Sequence, residues 1–190
     1  MHTAEHRGLR ELYVTGRHQC RHWRTLADRL EAAGGAGPAQ LRDGSQAARE
    51  LLAELTVLTA ARDLWGKPTA QGLGARVAGV RSALVDPALE VNQALRLALL
   101  DVQHVVTLLA YLERLAGQRD DEELRGFLAG WGERMGVHEQ ALRDVAIGVG
   151  DTPAAAVASC TPGIAGRIGH ALGVRIGTVG EWIDRRAGRR

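Results

Sequence analysis

The chain has 190 residues, a formal net charge of +2, 45% apolar residues and only 4% aromatic residues. That length allows one domain, or one domain with an appendage. A chain of this length can bury a stable core without disulfides or bound metals. The basic excess lies mainly at the C-terminus, where residues 161–190 carry six arginines against Glu181 and Asp184, a charge of +4. This charge density is far below that of a nucleic-acid-binding domain, so we expect no nucleic-acid partner.

The cysteines and the N-terminus indicate a reducing compartment. Cys20 and Cys160 are far apart in the chain and match no metal or redox spacing. The first seven residues hold no apolar segment of the kind found in signal peptides, and no apolar run approaches the length of a membrane span. We therefore expect a soluble, cytoplasmic protein with two reduced thiols.

Apolar residues that recur every three or four positions predict two helices in the first third of the chain. Helix A covers roughly 3–33 and ends at the glycines and proline of 34–38. Helix B covers roughly 45–65, with Ser45 as its N-cap. The inward stripe of helix A consists of Leu9, Leu12, Tyr13, Gly16, Cys20, Trp23, Ala27 and Leu30. The moderate loop between A and B predicts an antiparallel hairpin.

Two further helices form the second half of the predicted domain. A weaker, glycine-interrupted helical pattern covers 69–86, and helix C then begins at Pro87 and runs to 116. Helix C is apolar on most of its circumference, which is typical of a central helix. Helix D covers 120–147, with Asp120 as its cap and acidic residues in its first turn.

The fold class that these elements predict is all-α. Helices A to D are predicted to make an antiparallel four-helix bundle over residues 1–147, because the A–B and C–D loops each imply an antiparallel hairpin. The longer B–C connection can be a crossover. A linker rich in glycine, proline and alanine follows over 148–162. A separate basic, amphipathic helix is predicted for 163–190.

One group of polar residues is predicted to lie inside this bundle. Asp101 shares the core stripe of helix C with two leucines, and His104 lies one turn further along the same face. His138 lies on the core stripe of helix D, within about one turn of the level of Asp101 when residues are counted from the C–D turn. Glu54 lies at that level on helix B. A buried carboxylate needs a partner, so we expect Asp101, His104 and His138 to meet at mid-bundle.

Three interpretations of this group remain open, and the first is that the assigned helical phase is wrong and the residues do not meet. The residues can form a hydrogen-bonded network that satisfies itself and specifies the packing. Alternatively Asp101, His104, His138 and Glu54 can bind a transition metal, with Fe, Mn or Zn as the candidates. The chain shows no pairing of a nucleophile with a base, so no catalytic residue is predicted.

A second histidine pair is predicted to lie on the surface. His18 and His22 are four residues apart, a spacing that suits metal binding, and Glu11 shares their face. That face lies opposite Leu9 and Cys20, which are on the inward stripe of helix A. The helical phase therefore predicts a solvated face.

A four-helix bundle that carries an acid-x-x-His pair, here Asp101-Val102-Gln103-His104, resembles the ferritin-like carboxylate proteins. The resemblance covers helices A to D. It implies a metal held in the bundle core by side chains from facing helices. At the place of the second acid-x-x-His of that family, helix D has Met135-Gly136-Val137-His138.

The C-terminal helix carries glycines on one face and apolar residues beside them. The glycines are Gly163, Gly166, Gly169, Gly173, Gly177 and Gly180. Glycines on one helix face allow close approach to another helix. The segment can dock on the bundle, pair with a second copy or another partner, or lie on an anionic membrane surface. The sequence thus leaves two functional classes, a bundle that binds a metal or small ligand and a non-enzymatic scaffold that acts through this helix.

Overall fold

The computed structural model describes residues 3–62, 64 and 89–161. Its four long helices are α1 (Thr3–Ala32), α2 (Pro38–Ala60), α3 (Val91–Gly117) and α4 (Glu122–Gly148). A 3-10 turn (Val149–Asp151) and a short helix α5 (Pro153–Ala156) follow. Within the described ranges there is no β-strand, and the predicted all-α class is confirmed. The predicted elements at 69–86 and 163–190, and the predicted start of helix C at Pro87, lie outside the described residues.

The second helix begins earlier than the sequence pattern indicated. It starts at Pro38, seven residues before the predicted N-cap Ser45. Proline suits the first helical position because its φ is already helical and its missing N–H would have no partner there. Gly37 precedes it with φ 91°, a conformation that glycine adopts without strain. Ser45 instead lies buried within α2, where its hydroxyl donates a hydrogen bond of 2.7 Å to the Cys20 carbonyl.

The caps of α3 and α4 also differ from the prediction. Glu90 is the N-cap of α3, and with Gln93 it forms a reciprocal capping box. Asp121, and not the predicted Asp120, caps α4 by accepting a hydrogen bond of 3.1 Å from the Leu124 backbone N–H. Asp120 lies in the turn with φ 54°. In this turn the cap is therefore the second aspartate of the pair.

The long helices contact one another in a ring. α1 packs on α2 and α3, and α4 packs on α3 and α2. The core between them is built mainly from leucine, alanine and valine, with Trp23, Tyr13 and Trp131 as its large aromatic members. Gly44 of α2 packs against Trp23 of α1, and an added Cβ at Gly44 would lie 2.2 Å from Cζ3 of Trp23. Glycine at this position is therefore what allows the indole ring to pack against α2.

The helix α3 is the most apolar element. By length and mean hydropathy, 1.4 over its best window, it could cross a membrane, contrary to the expectation that no run approaches this length. Core helices of soluble proteins also meet these criteria. One side of α3 is buried against α1 and α4, and buried residues make up 44% of that window. This packing accounts for the buried part of that hydropathy.

The predicted linker after α4 is partly ordered as helix and packs on the start of α3. The backbone N–H of Val91 donates to the Ala158 carbonyl at 2.9 Å, and that of Cys160 donates to Leu89 at 3.2 Å. Cys160 is fully buried by this contact, and Cys20 is buried between α1 and α2. Neither cysteine forms a disulfide.

Candidate metal centre

Two histidines of α1 and one aspartate of α3 converge where these helices meet. His22 Nδ1 lies 2.9 Å from Oδ2 of Asp101, and His18 Nε2 lies 3.5 Å from Oδ1 of the same carboxylate. The two imidazole rings stack with their centroids 5.5 Å apart. Exposed fractions of the side chains are 1% for His22, 9% for Asp101 and 15% for His18. The three side chains thus form a nearly buried group that reaches solvent at its His18 edge.

The burial of this histidine pair corrects the prediction that it lies on a solvated face. Tyr13 and His22 are nine residues apart, so they project from opposite sides of α1. Both are buried, Tyr13 against Thr59 of α2 and His22 against Asp101 of α3. Because α1 has a neighbour on each flank, it buries a much wider arc than its leucine stripe suggests. His18 and His22 lie at the α3 edge of that arc.

Asp101 is where the sequence placed it, at the inner side of α3, but its predicted histidine partner lies elsewhere. His104 lies three residues further along the helix, on a half-exposed part of the surface. Its Nε2 is 3.0 Å from Oε1 of Glu11 on α1. Three residues advance a helix by about 300°, so His104 is rotated about 60° away from Asp101 and toward solvent.

The other two predicted ligands lie on the α2–α4 side of the helix ring. Glu54 accepts a hydrogen bond of 2.9 Å from the Trp131 indole N–H and lies 3.7 Å from Arg134. His138 is half-buried on α4, seven residues after Trp131 and hence on nearly the same face. Of the four predicted ligands, the structure brings only Asp101 into a group of three residues that could hold one metal ion. Within the described part of the chain, that group is His18, His22 and Asp101.

The ligand atoms of the three residues lie close to one another. They all lie within 4.8 Å of one another. Two ligands bound at about 2.1 Å and 90–109° apart would be separated by about 3.0–3.4 Å. The two contacts to Asp101, at 2.9 and 3.5 Å, are close to that range. The two contacts involve different oxygens of the carboxylate, so binding one ion would require the side chains to shift toward a common centre.

Two other groups of charged residues lie at helix ends. Glu5 is fully buried and its Oε2 accepts from Arg119 Nη1 at 2.5 Å. Arg62, just after α2, forms hydrogen bonds to Asp121 and Glu123 at the start of α4. The hydrogen bond from Arg62 is the main reason why the pKa of Asp121 is lowered and that of Arg62 is raised. A cavity of about 190 Å³ lies between these two ion pairs.

A third ion pair joins α1 to the start of α2. Arg42 binds both Asp28 and Glu31, and its hydrogen bond holds the pKa of the Glu31 carboxyl below its usual value. These groups are exposed, so the pair contributes little to stability.

The comparisons with known proteins give no relative from which a function could be transferred. No protein-family model matches the chain, and no curated protein or solved structure shows significant similarity.

Proposed function

We propose that this protein is an antiparallel four-helix bundle that binds one divalent transition-metal ion through His18, His22 and Asp101. The observation that carries the proposal is the convergence of two imidazoles and one carboxylate on a single point of the α1–α3 contact. The ring of contacts among the four long helices supports the bundle. The proposed bundle still resembles the ferritin-like carboxylate proteins in architecture. Its proposed metal ligands, however, lie at the α1–α3 contact.

A purely structural hydrogen-bonded network is the alternative, because an aspartate that accepts from one or two histidines satisfies itself. The 2.9 Å separation between His22 and Asp101 fits an ordinary hydrogen bond, so His22 alone would satisfy one carboxylate oxygen. The 3.5 Å separation between His18 and Asp101 is longer than such bonds normally are. A separation of 3.5 Å is, however, close to the distance expected between two ligands of one ion.

The ligand types favour a first-row transition metal. Imidazole nitrogens suit Zn²⁺, Fe²⁺ and their neighbours, whereas Mg²⁺ and Ca²⁺ prefer oxygen ligands. A single carboxylate contributes one negative charge, which suits one ion and not a pair of ions. We therefore expect one equivalent of metal per chain, from the set Zn²⁺, Fe²⁺ and Mn²⁺.

Metal content of protein purified without a histidine tag tests the proposal. We expect close to one equivalent of Zn, Fe or Mn by elemental analysis, and one high-affinity Zn²⁺ site when the chelator-stripped protein is titrated. His22→Gln and Asp101→Asn each remove a ligand, and we expect an affinity loss of at least ~100-fold, beyond the loss typical of residues that only support ligands.

The matched control is His138→Gln, which removes a half-buried histidine from α4, away from the proposed site. It should bind Zn²⁺ as the wild type does. The proposal is wrong if the tag-free protein binds no metal, or if His138→Gln weakens binding as much as His22→Gln does.

A further inference from the structure

The buried amide of Gln19 lies in the same turn of α1 as the two histidines. Gln19 is 0% exposed, and neither its oxygen nor its nitrogen has a hydrogen-bond partner within the described ranges. The indole nitrogen of Trp23, four residues later, is likewise buried with no such partner there. Buried polar atoms in folded proteins are nearly always satisfied by protein, ordered water or a ligand. An ordered water or a small polar ligand beside Gln19 would satisfy the amide.

The position of Gln19 relates this molecule to the proposed metal centre. Gln19 directly follows His18 and precedes His22 by three residues, which puts it beside His22 on the helix surface. His18 is at the solvent edge of the group, whereas Gln19 is on the core side. A ligand that meets the ion from the core side would thus lie next to this amide.

We propose that Gln19 is a positioning residue that binds the non-protein ligand of the metal, a water molecule that small anions can displace. This inference rests on the proposed metal site. Three protein ligands leave at least one position open on a four-coordinate ion. A glutamine amide suits either occupant, because its oxygen accepts from bound water and its nitrogen donates to a bound anion.

Anion binding to the cobalt form of the full chain tests this role. Co²⁺ takes the place of the native ion and reports its ligands through its visible absorption, and azide is the probe anion. In Gln19→Met, a change of similar volume without hydrogen-bonding groups, we expect Co²⁺ affinity within ~3-fold of the wild type. The azide dissociation constant should rise at least ~10-fold, and the Co²⁺ absorption band should shift.

Two further variants sharpen the test. Gln140→Met changes an exposed glutamine of α4 and should leave both affinities unchanged. Gln19→Glu should let the new carboxylate bind the ion itself, so Co²⁺ affinity rises and azide no longer binds, which gives a readout even if Gln19→Met fails to fold.

The outcomes separate this inference from the metal site. If Co²⁺ binds normally and both Gln19 variants bind azide as the wild type does, the inference is overturned while the metal site stands. In that case ordered water inside the core forms the hydrogen bonds of the Gln19 amide. If the wild type binds no Co²⁺, the metal site fails, and the inference fails with it.

Discussion

The aspartate pair at the start of α4 offers a direct comparison between two neighbouring side chains. Asp121 accepts the N-cap hydrogen bond from Leu124 and two hydrogen bonds from Arg62, and its side chain is 19% exposed. Asp120 is exposed, with φ 54°. Losing an N-cap costs ~1 kcal/mol. Losing a partly buried, doubly hydrogen-bonded ion pair adds about 1–3 kcal/mol after allowance for solvent screening. We expect Asp121→Ala to lower the free energy of unfolding by about 2–4 kcal/mol.

Thermal and urea unfolding measure this loss, and the pH dependence identifies its source. For a chain of this size each kcal/mol corresponds to about 2–4 °C, so the midpoint should fall by roughly 4–16 °C. The folded-state pKa of Asp121 is lowered, chiefly by Arg62, so its contribution is present above the unfolded pKa and is lost as pH falls. The difference between wild type and Asp121→Ala should therefore shrink below about pH 4.

The matched control is Asp120→Gly. Glycine adopts a positive φ without strain, so this change should leave stability unchanged or raise it by up to ~1 kcal/mol. If Asp120→Gly destabilises the protein more than Asp121→Ala does, Asp120 is the functional cap, and our account of this turn is refuted.

Three further predictions concern the metal, the core and a buried carboxylate. Free Zn²⁺ at 100 times its dissociation constant should raise the free energy of unfolding by ~2.7 kcal/mol, hence the midpoint by roughly 5–11 °C. At that same Zn²⁺ concentration the rise should persist in His138→Gln and fall to at most ~0.4 kcal/mol in His22→Gln. An equal rise in both would contradict the site. Gly44→Ala should cost at least ~2 kcal/mol in urea unfolding, because its Cβ would overlap the buried ring of Trp23; a neutral result would mean that α1 and α2 separate easily. Glu5→Ala should lower the free energy of unfolding by ~1–3 kcal/mol, since it removes the partner of a half-exposed arginine. A loss larger than that of Gly44→Ala would show that this arginine is more strongly desolvated than its exposure indicates.

The secondary structure was predictable because it depends on local patterns. The leucine periodicity of α1 and α3, and the acidic first turn of α4, indicated helices close to those observed. Helix boundaries were less predictable where one short segment ends one helix and begins the next. The run before Pro38 contains both the signal that ends a helix and the signal that begins one, and the structure uses it for both.

The candidate metal centre shows the limit of reasoning from one helix at a time. The four-residue spacing of His18 and His22 was visible in the sequence, as was the inward position of Asp101. Helical phase alone assigned the histidines to solvent, because the strongest apolar stripe of α1 faces α2 and the core. Their burial depends on a second neighbour, α3, which covers the other flank of α1.

The sequence by itself determined that this chain is all-α, with its core built from leucine, alanine and valine and an aspartate on the inner side of its most apolar helix. These properties follow from residue spacing and propensity, which act within one helix. Only the tertiary structure decided which residues face that aspartate. Two histidines on α1 and one carboxylate on α3 are separated by about 80 residues, and they meet because the order in which the helices pack brings their edges together.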